Sequence, residues 1–311
     1  MNFKKVAFLS ALLVMFGFMA CQKDSGQNGS VNFEITDAPI DDAHISGAFV
    51  TIADLQVDGQ SVQGFNKTTI DLLAYQNGST KLLSNADLDV DTYSNVTLVL
   101  DYDKDANGNS PGCYVEDTDG GKHALVATNN EILVDHSFDV ASGTTTNLVI
   151  DFDLRKAIVR NNNPADSYDF VTAGEMKNAV RVVTKDRTGT IKGNCSGSGN
   201  YSDKVVVYAY KKGTFDRNTE VQGQGQSNIT FTHAVSSATV DGSGNFELHF
   251  LEQGDYELHF ASYDENNSTG QVALGGTILL DVISSLDIGA IGVGASTSVT
   301  VNVLFTGVLP L

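Results

Sequence analysis

Ser298-Val299-Thr300-Val301-Asn302-Val303-Leu304-Phe305 alternates, with Val299, Val301, Val303 and Phe305 at every second place. A period of two is the mark of a strand with one face buried and one face wet. Val31-Asn32-Phe33-Glu34-Ile35 repeats the pattern near the other end, with Val31, Phe33 and Ile35 sharing a face. Between them, strand signals recur at residues 47–55, 95–100, 131–134, 146–152 and 180–184. They continue at 205–210, 228–231, 245–251 and 256–262. No long amphipathic helix is expected, and residues 72–88 hold a turn or two at most. The fold class is all-β.

Composition agrees. The 311 residues include 30 Gly, only 4 Pro and no Trp, as suits many short strands joined by turns. A hydrophobic share of 41% against 18% charged describes a chain that buries a core. Lys plus Arg number 19 and Asp plus Glu 38, a net charge of −19. That excess of acid excludes nucleic acid as a main partner, because phosphate needs clustered Lys and Arg. It equally excludes charge-driven adhesion to anionic lipid.

Lys4 and Lys5 precede 15 uncharged residues, Val6 to Ala20, and the run stops at Cys21. As a helix this run is too short to span a bilayer comfortably, at about 1.5 Å per residue, and it fits a secretory core segment. The arrangement resembles a bacterial lipoprotein signal, with Cys21 lipidated and first in the mature chain. Removing residues 1–20 takes away Lys4 and Lys5 and no acid, so the mature charge is −21. Gln22-Lys23-Asp24 after Cys21 resembles an export tag that places lipoproteins on the outer face of the outer membrane. Residues 21–30 then read as a flexible polar tether.

A boundary is expected near 185–200. Lys185-Asp186-Arg187-Thr188-Gly189 is polar, and Asn194-Cys195-Ser196-Gly197-Ser198-Gly199-Asn200 is a Gly/Ser cluster. The expected organisation is a lipoprotein signal peptide (1–20), a tether (21–30) and two β-sandwich-like domains (31–187 and 188–311). The first domain carries Ile35-Thr36-Asp37-Ala38-Pro39, Ile70-Asp71-Leu72-Leu73, Leu148-Val149-Ile150-Asp151-Phe152-Asp153 and Val180-Arg181-Val182-Val183. These motifs, in this order, resemble domain of unknown function 4382, a family found in bacterial lipoproteins and without an established activity. The second domain carries Gly189-Thr190-Ile191-Lys192-Gly193, residues 205–210, Val240-Asp241-Gly242-Ser243-Gly244-Asn245-Phe246 and Leu251-Glu252-Gln253-Gly254-Asp255-Tyr256. It resembles the transthyretin-like β-sandwich of carboxypeptidase regulatory-like domains, which implies a structural or binding module.

Candidate chemistry is sparse. Asp101, Asp103, Asp105, Asn107 and Asn109 surround Gly108, and from Asp103 the spacing is that of the first half of a calcium loop. Tyr114 stands where the closing bidentate Glu belongs, and the bland reading is an acidic hairpin turn. Glu247-Leu248-His249-Phe250 and Glu257-Leu258-His259-Phe260 flank Gly254. If they form a hairpin with Phe246, Leu248, Phe250, Leu258 and Phe260 on its buried face, His249 opposes His259. Two His and two Glu side chains are then a speculative metal site against a plain polar outer face. Cys113 and Cys195 are open to two readings, one disulfide in an oxidising compartment or two separate thiols. Asp151 and Asp153 share a strand face, so a surface or cation-linked role is expected. His44, His123, His136 and His233 read as structural or surface residues. No phosphate loop, dinucleotide fingerprint or HExxH occurs.

The leading functional expectation is a non-catalytic, surface-facing outer membrane lipoprotein. It meets the membrane only through its anchor and binds a glycan or protein ligand, with calcium as its one candidate cofactor. Tyr201, Tyr208, Tyr210 and Tyr263 are the aromatic candidates for a sugar platform. The alternative is an assembly subunit of a surface filament or complex, with Ser298–Phe305 pairing by strand addition, against the favoured reading that this strand completes its own sandwich. An uncharacterised hydrolase is the third reading.

Overall fold

Alternating side chains become four sheets in the computed structural model, which describes residues 27–38, 42, 44–161, 168–197, 204–266, 272–282 and 287–311. The chain is all-β. The first sheet has the order β13 (Val180–Thr184), β10 (Thr145–Asp153), β1 (Asn28–Ala38) and β5 (Lys81–Asp89). β1 runs parallel to β10, with Phe33 opposite Leu148 and Ile35 opposite Ile150. The second has the order β8 (Lys122–Ala124), β7 (Tyr114–Asp117), β2 (Ile45–Val57), β6 (Asp91–Leu100) and β9 (Glu131–Val140). The short β3 (Gln60–Ser61) and β4 (Thr68–Asp71) also pair with β2. β11 (Ile158–Arg160) and β12 (Tyr168–Phe170) form a small ribbon.

The fourth sheet starts at Thr188. Its order is β16 (Ser236–Thr239), β15 (Lys204–Lys211), β18 (Gly254–Glu265), β19 (Val272–Val282), β21 (Ser298–Pro310), β14 (Thr188–Ser196) and β17 (Asn245–Glu252). β20 (Ile291–Val293) pairs with β18. The sheet rolls over until its two end strands, β16 and β17, touch.

Two main cores result. Phe33, Ile35, Ile52, Leu98, Ile150 and Phe152 belong to the first, and Ile191, Val207, Leu248, Leu258, Val301 and Val303 to the second. Each fully buried side chain of this size contributes about 1.5–3 kcal/mol relative to exposure. A smaller cluster on the other face of β15 buries Tyr208 and Tyr210 with Phe231 and Tyr263.

Four expectations are resolved here, two of them as corrections. Asn228–Phe231 is not a strand: it lies in a turn-rich loop with one isolated bridge, Gln224 to Ile229. Residues 72–88 give one 3₁₀ turn, Leu72–Ala74, and then β5. The two Glu-Leu-His-Phe copies do not form a hairpin, because β17 borders β14 while β18 lies between β15 and β19. Their apolar faces meet across the core instead, with the Phe246 and Phe260 rings edge-to-face at 5.5 Å. β21 completes its own sheet: β14 and β19 flank it, and Val303 pairs with Cys195 on one side and Val282 on the other.

Phe250 leaves the face it was expected to share. Between the pairs Ile191–Leu248 and Gly189–Leu251, β17 carries a bulge, and Phe250 has φ +55°. The turn sends its ring outward onto Val149 of β10 and Val183 of β13. β10 is thereby buried on both faces, by its own core and by the fourth sheet.

Candidate functional site

The seam around Phe250 is charged as well as apolar. Asp151, Asp153 and Lys156 are all nearly fully buried. Asp151 is held by Arg181, with Nη2 and Nε at 2.6 and 2.9 Å from Oδ2. Arg181 Nη1 also donates to the carbonyl oxygen of Phe250 at 2.7 Å. Asp153 is 3.2 Å from Lys156 Nζ, which donates to the carbonyl oxygen of Ala234 at 3.0 Å. The cations facing these two aspartates are protein side chains. Asp37 ends β1 beside them. Burial pushes its carboxyl well above the ordinary value; the Leu154 N–H opposes this and the charges of Asp153 and Asp151 reinforce it.

A cleft of about 990 Å³ opens beside this seam. One wall is the wet face of β21, β14 and β17, where register sets two rows. Asn302 lies beside Asn194, and Asn194 beside Asn245; Thr300 lies beside Lys192, and Lys192 beside Glu247. Asn194 Nδ2 donates to Asn245 Oδ1 at 2.9 Å and to the Ser243 carbonyl oxygen at 3.0 Å, which fixes its amide. The facing wall includes Leu73, Gln76 and Asn77. Motif residues position that wall. Asp71 Oδ1 accepts from the N–H groups of Ala48 and Leu73, capping the 3₁₀ turn. Thr36 Oγ1 approaches the carbonyl oxygens of Tyr75 and Ser79, at 2.9 and 2.8 Å, and so pins the loop between them. Amides and hydroxyls, which both donate and accept hydrogen bonds, supply seven of the sixteen lining residues, and five more are charged.

The acidic loop is built for its own backbone. Asp105 Oδ1 accepts from the N–H groups of Asn107 and Asn109, each at 2.8 Å, and Oδ2 from Asn109 Nδ2 at 3.1 Å. Asp117 grips Asp119 and Gly121 in the same way, and Asp241 grips Ser243 and Asn245. Each loop turns on a glycine of positive φ, +85° at Gly108, +82° at Gly120 and +83° at Gly244. These three loops are one device, an Asp-closed turn. The Asn109 N–H lowers the Asp105 carboxyl first among its causes, and the Asn245 N–H does so for Asp241. Asp101 is taken up by Lys67 at 2.6 Å and by the N–H groups of Asp103 and Lys104. Among the described residues no three His, Cys, Asp or Glu side chains converge to hold a metal.

The other candidates also separate. His249 contacts Glu247 at 2.9 Å, while His259 stacks on Phe215 with ring centroids 3.6 Å apart. Without the hairpin they do not face one another, and burial lowers both imidazoles against the pull of the neighbouring Glu. Cys113 and Cys195 are free thiols in different cores, each pushed up to about 12 by burial. The disulfide reading is thereby replaced by two separate buried thiols. Tyr208, Tyr210 and Tyr263 offer no platform: all three are buried, and Tyr208 stacks on Phe231 at 4.1 Å. Tyr201 and Cys21 lie outside the described residues. No helix of the described residues is long and apolar enough to cross a membrane.

Residues 28–171 match the family described as Domain of unknown function (DUF4382). The DUF4382 segment thus contains β1 to β12 and, with them, one wall of the cleft. No curated protein matches the chain. Among solved structures, a leucine-rich repeat protein from Bacteroides thetaiotaomicron is 14% identical over 92% of this chain and 26% of its own, with a TM-score of 0.22. The TIE protein of Bacillus anthracis is 10% identical over 89% of this chain and 34% of its own, at 0.20. The minor pilin GBS52 of Streptococcus agalactiae is 13% identical over 90% and 97%, at 0.22. The chain spans about a quarter and a third of the first two. Scores this low carry no functional argument.

Proposed function

We propose that this chain is a surface-anchored, non-catalytic lipoprotein that binds a polar ligand, a glycan by preference, in the cleft between the DUF4382 segment and the fourth sheet. The observation that carries the reading is the pair of rows Asn302–Asn194–Asn245 and Thr300–Lys192–Glu247 facing Gln76 and Asn77 across the cleft. Sugar hydroxyls donate and accept together, and side-chain amides match that pattern with no net charge. Both thiols are buried and held protonated, so neither is an activated nucleophile. The Cys21 signal and the Gln22-Lys23-Asp24 tag support anchorage at the outer face of the outer membrane. The assembly reading has less behind it, because its donor strand is used within its own sheet.

Two experiments test this. Cys21→Ala releases the chain from membranes if the anchor reading is right, and unchanged retention contradicts it. A glycan array probed with the full chain gives hits lost in Asn194→Ala, Asn302→Ala. Hits that survive both substitutions move the site away from the cleft.

A further inference from the structure

A second cavity, of about 180 Å³, shares no residue with the cleft. It lies where the helix Ala173–Ala179 and Lys156 meet the loop carrying Gln224, Ile229, Thr232 and His233. Its polar groups are fixed from behind. Glu220, only 2% exposed, accepts from Tyr210 Oη at 2.6 Å, Gln224 Nε2 at 3.3 Å and the His233 N–H at 3.2 Å. It also holds His233 Nδ1 at 2.5 Å. Burial alone would raise the Glu220 carboxyl, but the bonds from Tyr210 and His233 outweigh it and lower it. The imidazole is thereby set in one orientation, with Nε2 left over on an exposed ring.

Opposite lies Lys156, 8% exposed, whose ammonium has three N–H groups. Asp153 and the carbonyl oxygen of Ala234 engage it at 3.2 and 3.0 Å. Glu175 anchors the rim. Burial pushes its carboxyl up, but the hydroxyls and N–H groups of Ser227 and Thr172 prevail and hold it at about 2. A Cβ at Gly225, φ +71°, would sit 2.0 Å from Glu175 Oε1, so the close approach of this loop requires glycine.

The charged groups around the cavity are each already engaged inside the protein: Lys156 by Asp153, Glu220 by Tyr210 and His233, Glu175 by four hydrogen-bond donors. An ionic ligand would have to displace these partners. What remains is a mixed set of donors and acceptors at His233, Asn178, Gln224 and Thr232 beside the apolar Ile229. We infer that this cavity binds a single neutral sugar ring, with its hydroxyls on these polar groups and a C–H face on Ile229.

The test is saturation-transfer NMR of the full chain with glucose, galactose, mannose and N-acetylglucosamine. At least one sugar receives saturation. Asn178→Leu, at an exposed helix position, weakens it at least tenfold with an unchanged Tm. His233→Gln weakens it similarly, and Asp103→Ala, outside both linings, leaves it unchanged. Absence of saturation from all four sugars overturns the inference. So does native affinity in both Asn178→Leu and His233→Gln, or a loss seen only in Asn194→Ala, which would assign the sugar to the cleft.

Discussion

Arg181 Nη1 donates to the Phe250 carbonyl oxygen at 2.7 Å while the same guanidinium holds Asp151. One side chain of β13 therefore binds a buried carboxylate of its own sheet and the bulged backbone of the fourth sheet. Arg181→Met leaves Asp151 buried and unpaired. The expected loss is about 3–5 kcal/mol in denaturant unfolding. Adding Asp151→Asn recovers part of it, and equal stability of single and double variants would show that the pair is not coupled.

Phe250 supplies the apolar half of the seam. Phe250→Ala removes its contact with Val149 and Val183, at an expected cost of about 3 kcal/mol. Phe250→Gly should cost less than that burial loss alone suggests, because glycine accepts the positive φ that phenylalanine is forced to adopt. Chemical denaturation of both variants checks the order.

Asp37 predicts a pH dependence. Its carboxyl is raised above the ordinary 3.8 by burial, with the neighbouring Asp153 and Asp151 adding to the effect. A carboxyl raised in the folded state stabilises when protonated. Its contribution is full below the ordinary value and is lost as pH rises through the raised one. Asp37→Asn keeps an acceptor for the Leu154 N–H without a charge. The variant is expected to match or exceed the native Tm at pH 7.5, with the advantage vanishing towards pH 3. A native chain more stable than the variant at pH 7.5 and equal at pH 3 would reverse the sign.

The acidic loop gives a contrast between neighbours. Asp105→Ala loses two N–H acceptor contacts of the turn and should cost about 1 kcal/mol, equally in calcium and in EDTA. Asp103→Ala should cost little, because Asp103 enters the loop through its backbone N–H. A calcium-dependent loss in both variants would instead support the cation reading.

The strands were legible and their neighbours were not. Period two tells which face a side chain takes, as for Phe246, Leu248, Leu258 and Phe260. It does not tell whether two such faces lie side by side or face to face. The Phe250 bulge broke the period without a Gly to announce it. Asp-x-Asn-Gly-Asn serves a calcium loop and an Asp-closed turn equally. Only its Asp-x-x-Gly frame recurs, at Asp117 and Asp241, where the carboxylate likewise accepts backbone N–H groups. The cleft was hidden because Gln76, Asn194, Asn245 and Asn302 come from separate elements, and register alone joins the last three. Glu220 and His233 are 13 residues apart and meet because the loop folds over β15, where Tyr210 holds Glu220.

The cleft is the central claim. The deciding measurement is the affinity of the full chain for its strongest array glycan, by calorimetry, against the variant Asn194→Ala, Asn302→Ala. The account predicts a loss of at least tenfold, about 1.4 kcal/mol, with an unchanged Tm and no effect of EDTA. Equal affinity of the two proteins would contradict it.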